Sequence, residues 1–118
     1  MNEILKKGET LSSEFNRCMV TLEDDNNLVL RNATNLEKKW TSETQRQEKD
    51  AHLLLSSFGA LILFNSTTEW KYMNPTVIEK GFLKEYEGPF ELVMQDDCNL
   101  VLYRKNKIPY WSTETHVR

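Results

Sequence analysis

A row of mostly polar side chains occurs at alternate positions between residues 95 and 103. Its members are Gln95, Asp97, Asn99, Val101 and Tyr103, here called the third-repeat row. Alternation with period two predicts a β-strand, which places all five on one face. Two amides, a carboxylate and a phenol supply hydrogen-bond donors and acceptors at fixed spacing. The pattern therefore indicates a site for a small polyhydroxylated ligand, because adjacent hydroxyl groups require both.

The same row resembles a family signature. Gln-x-Asp-x-Asn-x-Val-x-Tyr is the mannose-binding motif of the bulb-type lectins of monocots, also found in lily-type lectins of fish skin mucus, and all five defining positions are filled. The resemblance implies an all-β fold of the β-prism II type, with three four-stranded sheets around a pseudo-threefold axis. It also implies that Asp97 and Asn99 hold the 2-hydroxyl group of mannose. Gln95 would contact the 3-hydroxyl group, Tyr103 the 4-hydroxyl group, and Val101 the ring carbons.

Internal repetition supports a threefold arrangement. Residues 23–31 align with residues 95–103 through several identities, and residues 56–64 align with the same segment through apolar character alone. A closed arrangement of three short repeats buries one common core and removes most sheet edges. We therefore expect a single bulb-type lectin domain over residues 1–118, with repeats of approximately 1–45, 46–75 and 76–118.

The strand positions follow from these repeats. We expect strands near residues 18–23, 27–31, 52–56, 60–64, 90–95 and 99–103. The charged stretch 35–50 could suggest a helix, but Trp40 lies where the repeat requires a strand. One tryptophan follows each copy: Trp40, Trp70 and Trp111. We interpret them as core residues rather than sugar-stacking platforms, because large aromatic side chains more often pack than contact a ligand.

The first repeat carries a possible degenerate second site. Its row, here called the first-repeat row, is Glu23, Asp25, Asn27, Val29 and Arg31. A carboxylate at the glutamine position has no N–H to donate, and arginine at the tyrosine position adds donors and a charge. Two outcomes remain open. Glu23 and Arg31 could pair across an empty site, or Arg31 could recruit an acidic sugar or a phosphorylated mannose.

The second repeat has lost the polar row altogether. The corresponding positions, here called the second-repeat row, are Ser56, Phe58, Ala60, Ile62 and Phe64. Such a row cannot satisfy sugar hydroxyl groups, and an exposed apolar patch usually marks a contact surface. We expect it to be covered by another subunit or by the chain's own residues between Trp70 and Gly81. Because relatives form dimers by exchanging C-terminal strands, the resemblance also implies a homodimer.

Composition excludes several other classes. The 118 residues carry a net charge of −3 with the two signs interspersed, so nucleic acid is not an expected partner. No apolar run reaches membrane-spanning length, and residues 1–7 lack the apolar segment of a signal peptide. The location is therefore open between secretion, as into mucus, and the cytoplasm. His52 and His116 lie far apart and only two cysteines are present, so neither a metal site, a cofactor nor an enzyme is predicted.

The two cysteines have a spacing that the resemblance interprets. In plant relatives, a cysteine three residues after the motif glutamine bonds to one five residues before the glutamine position of the next repeat. Cys98 follows Gln95 by three, and Cys18 precedes Glu23 by five. Because the last repeat of a threefold prism is followed in space by the first, the resemblance implies that these cysteines are neighbours able to bond. The alternative is two free thiols in a cytosolic protein.

The leading functional hypothesis is a mannose-specific, non-catalytic lectin with its principal site in the third repeat. The alternative is a protein-interaction module, or an antimicrobial or toxin-like module, built on a lectin scaffold whose sugar sites are degenerate.

Overall fold

In the computed structural model, the described residues are 2–44, 51–65, 70–73, 84 and 87–115, and their regular secondary structure is almost all β-strand. The strands are β1 (Asn2–Lys6), β2 (Thr10–Ser12), β3 (Cys18–Leu22), β4 (Leu28–Asn32), β5 (Lys38–Thr41), β6 (Ala51–Leu55), β7 (Leu61–Asn65), β8 (Trp70–Tyr72), β9 (Glu91–Met94), β10 (Leu100–Arg104) and β11 (Ile108–Ser112). A three-residue 3-10 turn, Lys105–Lys107, joins the last two strands. No helix in these ranges is long and apolar enough to cross a membrane. The all-β prediction is confirmed, and the Trp40 segment is a strand.

The strands form three antiparallel sheets. Their orders are β2-β3-β4-β5, β1-β6-β7-β8 and β11-β10-β9. The first two sheets have the expected four strands, and a fourth strand for the third sheet is not among the described residues. The N-terminal segment serves two sheets, because β1 pairs with β6 of the second repeat and β2 pairs with β3 of the first. Gly8 lies between β1 and β2 at a φ of +88°, a conformation that favours glycine.

Alternation along the strands builds one core from all three sheets. The paired central strands place every second side chain inward, as the buried–intermediate alternation of β3 and β6 shows. The inward set is Val20, Leu22, Leu28, Leu30, Leu53, Leu55, Leu61, Leu63, Leu92, Met94, Leu100 and Leu102. Trp40 and Trp111 pack against this core and against each other edge to face, with ring centroids 6.4 Å apart. Both rings are partly buried against the core, and Trp111 also lines the cleft of the third repeat, whereas the side chain of Trp70 lies outside the described set.

Each repeat makes the same tight turn between its two central strands. Asn26, Gly59 and Cys98 occupy equivalent positions at φ values of +69°, +84° and +69°. Each donates its backbone N–H to the carbonyl three residues earlier, at 2.9, 3.2 and 3.0 Å. Glycine and asparagine adopt this left-handed conformation at low cost, whereas a residue such as cysteine normally avoids it. Turn geometry is therefore conserved between repeats even where the side chains differ.

These turn residues also join each repeat to the next. Asn26 Oδ1 accepts the backbone N–H of Ala51 at 3.1 Å, at the start of the second repeat's central strands. Tyr110 Oη donates to the Gly59 carbonyl at 2.9 Å, which ties the second repeat to the third. Cys98 forms a disulfide with Cys18, with a Cα–Cα distance of 5.3 Å. The predicted pairing of the two cysteines is confirmed, and it closes the ring between the last repeat and the first.

Candidate functional site

The third-repeat row begins just after β9, passes through the tight turn and continues along β10, so the prediction of one continuous strand over residues 95–103 is wrong. Asp97 is exposed, Gln95, Asn99 and Tyr103 are half-buried, and Val101 is buried. An open cleft of about 440 Å³ lies over the row and is lined by all of these residues except Asp97, which stands on the turn beside it. The structure thus places four predicted site residues at one cleft and the fifth at its edge.

The side-chain amide of Asn99 is held in one orientation. Its Oδ1 accepts the backbone N–H of Thr115 at 3.3 Å and lies 3.3 Å from the hydroxyl of Thr113, which is also 2.7 Å from Thr115 Oγ1. The two threonines are themselves fixed, because Thr113 Oγ1 accepts the N–H of Leu100 at 3.2 Å and Thr115 Oγ1 donates to the Cys98 carbonyl at 2.6 Å. With its oxygen engaged by the protein, Asn99 presents Nδ2 as a donor toward the ligand side.

The remaining polar groups complete a mixed donor and acceptor set. Asp97 Oδ1 accepts the backbone N–H of Asn99 at 3.0 Å, which leaves its second oxygen as an acceptor beside the Asn99 amide. Gln95 Nε2 donates to Tyr103 Oη, so the phenol keeps its own hydrogen to donate. The carboxylate acceptor of Asp97, the amide donor of Asn99 and the phenol donor of Tyr103 therefore follow one another along the row. Adjacent hydroxyl groups on a sugar ring could each find a hydrogen-bond partner among these groups.

The turn that carries Asp97 is anchored to the first repeat on both sides. Asp96 Oδ1 accepts the backbone N–H of Phe15 at 3.0 Å, and Cys98 is bonded to Cys18. A hydrogen bond from the Ser13 side chain is the main cause that lowers the pKa of Asp96 below its ordinary value. Anchoring limits motion of the turn, so the site is formed before any ligand arrives.

The first-repeat row has the same internal frame. Asn27 Oδ1 accepts the Ser42 hydroxyl at 3.1 Å and the Thr44 N–H at 3.3 Å. The Asn27 N–H in turn donates to Asp25 Oδ1 at 3.1 Å. Ser42 and Thr44 are thus the counterparts of Thr113 and Thr115, and Asp25 and Asn27 keep the geometry of the intact site.

The ends of the first-repeat row are closed on each other. Arg31 Nη1 donates to Glu23 Oε2, which is the first of the two outcomes that the sequence left open. Both side chains are partly shielded, and Asn27 is only 6% exposed, whereas Asn99 of the third repeat is half-buried. The guanidinium of Arg31 is already paired with Glu23, so it is not available to bind the negative charge of an acidic sugar. The structure therefore favours a closed first-repeat row over one that recruits an anion.

The second-repeat row has no polar groups directed outward for a sugar. Ser56 is buried and its hydroxyl accepts the N–H of Ala60 within its own turn at 2.9 Å. Met73 donates its N–H to the Leu61 carbonyl at 2.7 Å, at the position where the other repeats place Ser42 and Thr113. The second repeat thus lacks both the asparagine and the hydroxyl that orients it.

The apolar character of this row is mostly hidden within one chain. Ala60 and Ile62 are 0% and 2% exposed, and Phe64 is half-buried, whereas Phe58 remains 41% exposed. Ile62 is buried within the single chain, but most of the segment between Trp70 and Gly81 that was expected to cover the row lies outside the described residues. What remains open is the ring of Phe58 at the tip of the turn.

The hydroxyl residues that orient the motif asparagines were missed by the sequence reasoning. A signal was present, since the pentads Trp40–Thr44 and Trp111–Thr115 each keep a hydroxyl at their third and fifth positions. Their position after the outer strand, and not their spacing from the motif, is what brings them beside Asn27 and Asn99.

Comparisons with known proteins agree with this architecture. The mannose-specific lectin CEA of Colocasia esculenta is 46% identical over 48 residues, which cover 41% of this chain but only 16% of that lectin. A monomeric mannose-binding lectin of Gastrodia elata superposes with a TM-score of 0.75 at 24% identity, over 96% of this chain and 90% of that one. The snowdrop agglutinin, Galanthus nivalis, solved with methyl-α-D-mannoside, gives a TM-score of 0.55 at 23% identity, over 99% and 100%. No protein-family model matches the chain.

The three sheets and these superpositions define a β-prism II protein. The local sequence match and the fold together confirm the resemblance to the bulb-type mannose-binding lectins.

Proposed function

We propose that this protein is a non-catalytic lectin that binds mannose or mannose-containing glycans through the third-repeat row. The observation that carries the proposal is the fixed orientation of Asn99, whose oxygen is held by Thr113 and Thr115 so that its Nδ2 faces the ligand. A site that orients a donor in this way, beside a carboxylate acceptor, is built for a hydroxyl group. The relatives named above, which are mannose-binding lectins by name, support the choice of sugar.

Each member of the row has a distinct role in this proposal. The second carboxylate oxygen of Asp97 accepts a hydrogen from the 2-hydroxyl group while Asn99 Nδ2 donates to its oxygen, so that one hydroxyl is bound in both senses. Gln95 contacts the 3-hydroxyl group and the phenol of Tyr103 the 4-hydroxyl group. Val101, the buried member of the row, contacts the carbon atoms of the sugar ring. A hexose with a different arrangement at carbons 2 and 4 would lose these bonds.

Binding without catalysis fits the chemistry of the site. The row offers amides, a carboxylate and a phenol, and the Ser112 hydroxyl in the same cleft accepts the backbone N–H of Glu114 rather than meeting a base. In the described part of the chain, no three histidine, cysteine, aspartate or glutamate side chains are grouped to hold a metal ion. The proposal therefore invokes no cofactor.

The proposal includes a homodimer. One shallow site per chain is weak, because each hydrogen bond gains only about 0.5–1.5 kcal/mol net of water. Two sites on one particle raise avidity without any new contact to the sugar. Phe58, exposed on the tip of the second-repeat turn, is available for a contact between chains, although the burial of Ile62 makes that surface smaller than the sequence suggested.

Calorimetry with methyl α-mannoside tests the function, with a galactoside as the sugar control. Asp97→Ala and Asn99→Ala should each weaken binding by about tenfold or more, as expected for bonds to a charged group or to a fixed donor. Asp25→Ala is the matched control, because Asp25 has the same local contacts in the first repeat, and it should leave binding unchanged.

Two results would contradict the proposal. If the parent protein binds no mannoside, the function is wrong. If it binds, but both third-repeat variants bind equally well while retaining the parent's circular dichroism, the site is wrongly assigned.

A further inference from the structure

Two sequons occupy equivalent places in the first and second repeats. Residues 32–34 are Asn-Ala-Thr and residues 65–67 are Asn-Ser-Thr, and in this pattern the asparagine is an acceptor for N-linked glycans. Asn32 is the last residue of β4 and Asn65 is the last residue of β7. Since β4 and β7 are the second central strands of their repeats, the sequon belongs to one position of the repeat and is not a randomly placed triplet.

We propose that Asn32 carries an N-linked glycan, which is added when the chain enters the secretory pathway. The inference is independent of sugar binding by the third-repeat row, because Asn32 is not among the residues that line its cleft. Ser66 and Thr67 of the second sequon lie outside the described residues, so the structural argument concerns Asn32.

The modification is a glycosyl transfer to the side-chain amide of Asn32. Its Nδ2 forms a bond to C1 of the first sugar of a lipid-pyrophosphate-linked oligosaccharide. The bond between this C1 and the pyrophosphate oxygen breaks, and the lipid pyrophosphate leaves with the electron pair. One amide proton passes to a base of the transferase. The reaction therefore requires that Asn32 Nδ2 is open to solvent.

The structure holds the Asn32 amide with its nitrogen free. Asn32 Oδ1 accepts the backbone N–H of Thr34 at 2.8 Å and that of Asn35 at 3.4 Å, as in an Asx turn. With the oxygen engaged by the turn, Nδ2 faces away from it. Asn32 Nδ2 donates to no described residue, and it is not buried, since Arg104 Nε is the one buried and unpartnered side-chain polar atom in the described ranges. The reacting atom is thus accessible.

The turn that carries the sequon can hold a bulky group without a change of fold. Residues 34–38 are all exposed, and Leu36 among them is 59% exposed. The turn is closed by two backbone hydrogen bonds, from Leu36 N–H to the Asn32 carbonyl at 2.8 Å and from Asn32 N–H to the Glu37 carbonyl at 3.0 Å. A glycan on Nδ2 leaves these bonds and those of Oδ1 intact. The modification is therefore compatible with the folded domain.

The disulfide is an independent indication of the same compartment. Disulfides form and persist in oxidising environments such as the lumen of the endoplasmic reticulum, where N-linked glycans are also added. Cys18, which is bonded to Cys98, is the cross-strand partner of Asn32. The first repeat thus carries two features of secreted proteins on neighbouring strands, and neither depends on the other.

The test is secretion of the full chain from yeast under a cleavable signal peptide, with Asn65→Gln to remove the second sequon. Mass spectrometry of the tryptic peptide 32–38 then reports the modification of Asn32 alone. We expect most copies of this peptide to carry a glycan. Thr34→Ala removes the hydroxyl that the sequon requires and should abolish the modification, whereas Thr34→Ser keeps a hydroxyl and should retain it.

Asn35→Gln is the matched control. Asn35 lies on the same exposed turn, and its Oδ1 accepts the backbone N–H of Glu37 at 3.0 Å, but no hydroxyl residue stands two positions after it. This variant should carry the glycan on Asn32 as the parent does. A secreted parent that has the disulfide but an unmodified 32–38 peptide would overturn the inference. So would a Thr34→Ala variant that still carries a glycan on Asn32.

Discussion

Reduction of the Cys18–Cys98 disulfide tests the closed ring of three repeats. The bond joins residues 80 positions apart. In the chain-entropy model a loop of this length contributes about 4.5 kcal/mol by restricting the unfolded chain. For a domain of 118 residues, an unfolding entropy of about 0.25 kcal/mol/K converts this to a fall in Tm of about 18 °C.

The structure indicates that the reduced protein remains folded. The other two junctions between repeats have no disulfide and include the hydrogen bonds from Ala51 to Asn26 and from Tyr110 to Gly59, so a covalent bond is not required for the sheets to associate. Cys18 and Cys98 are 1% and 2% exposed, and as thiols they would still pack as small apolar groups. We therefore expect a fall in Tm of about 10–18 °C with an unchanged spectrum at low temperature.

The assay is thermal unfolding followed by circular dichroism, with and without a phosphine reductant. A variant with Cys18→Ala and Cys98→Ala is the control, because the reductant should not change its Tm. A Tm that moves by less than about 3 °C on reduction would refute the entropic argument. Two titratable thiols in the untreated, denatured protein would refute the bond itself.

Two further predictions concern the first repeat and the junction at Tyr110. Glu23→Gln combined with Arg31→Tyr removes the ion pair and recreates the full motif beside Asp25 and Asn27. The stoichiometry of mannoside binding, measured by calorimetry, should then rise from about one to about two per chain. An unchanged stoichiometry would mean that the replacement of the motif glutamine and tyrosine is not what closes the first-repeat site. Burial raises the pKa of the Tyr110 hydroxyl above its ordinary value. The contribution of Tyr110 to the free energy of unfolding is therefore complete below about pH 10 and falls as the pH rises further, because Tyr110 ionises first in the unfolded chain. Urea unfolding should therefore show a steeper alkaline loss in the parent than in Tyr110→Phe, and equal slopes would contradict this assignment.

Local pattern predicted much of the fold. The six strand positions expected from the repeats agree with β3, β4, β6, β7, β9 and β10 to within one or two residues at each end. This succeeded because a half-buried strand forces period two on its own sequence. The Glu23–Arg31 pair was one of two outcomes that the sequence left open, and it forms because the turn between β3 and β4 brings the two ends of the row together.

Contacts between repeats were harder to predict from the sequence. The sequence indicated that the second-repeat row must be covered, but it left open whether another subunit or the chain itself covers it, and Ile62 is buried within the chain. The pairing of β1 with β6 likewise places the first strand in the second repeat's sheet. Such outcomes depend on which distant segments of the chain contact each other in the folded protein, and the spacing of residues within one segment does not determine that.

The sequence by itself determined which residues share a face and therefore which groups are available to a ligand. Period two gives the direction of Val101 and Tyr103, which both lie on β10. The repeated motif marks Gln95, Asp97 and Asn99, which the tight turn between β9 and β10 brings beside them. Only the tertiary structure decided how those groups are aimed. Asn99 presents its amide nitrogen because Thr113 and Thr115, 14 and 16 residues further along the chain, engage its oxygen. The orientation of a side-chain amide is set by partners that meet it only after the outer strand has paired, so the donor at the centre of the site is a property of the folded sheet.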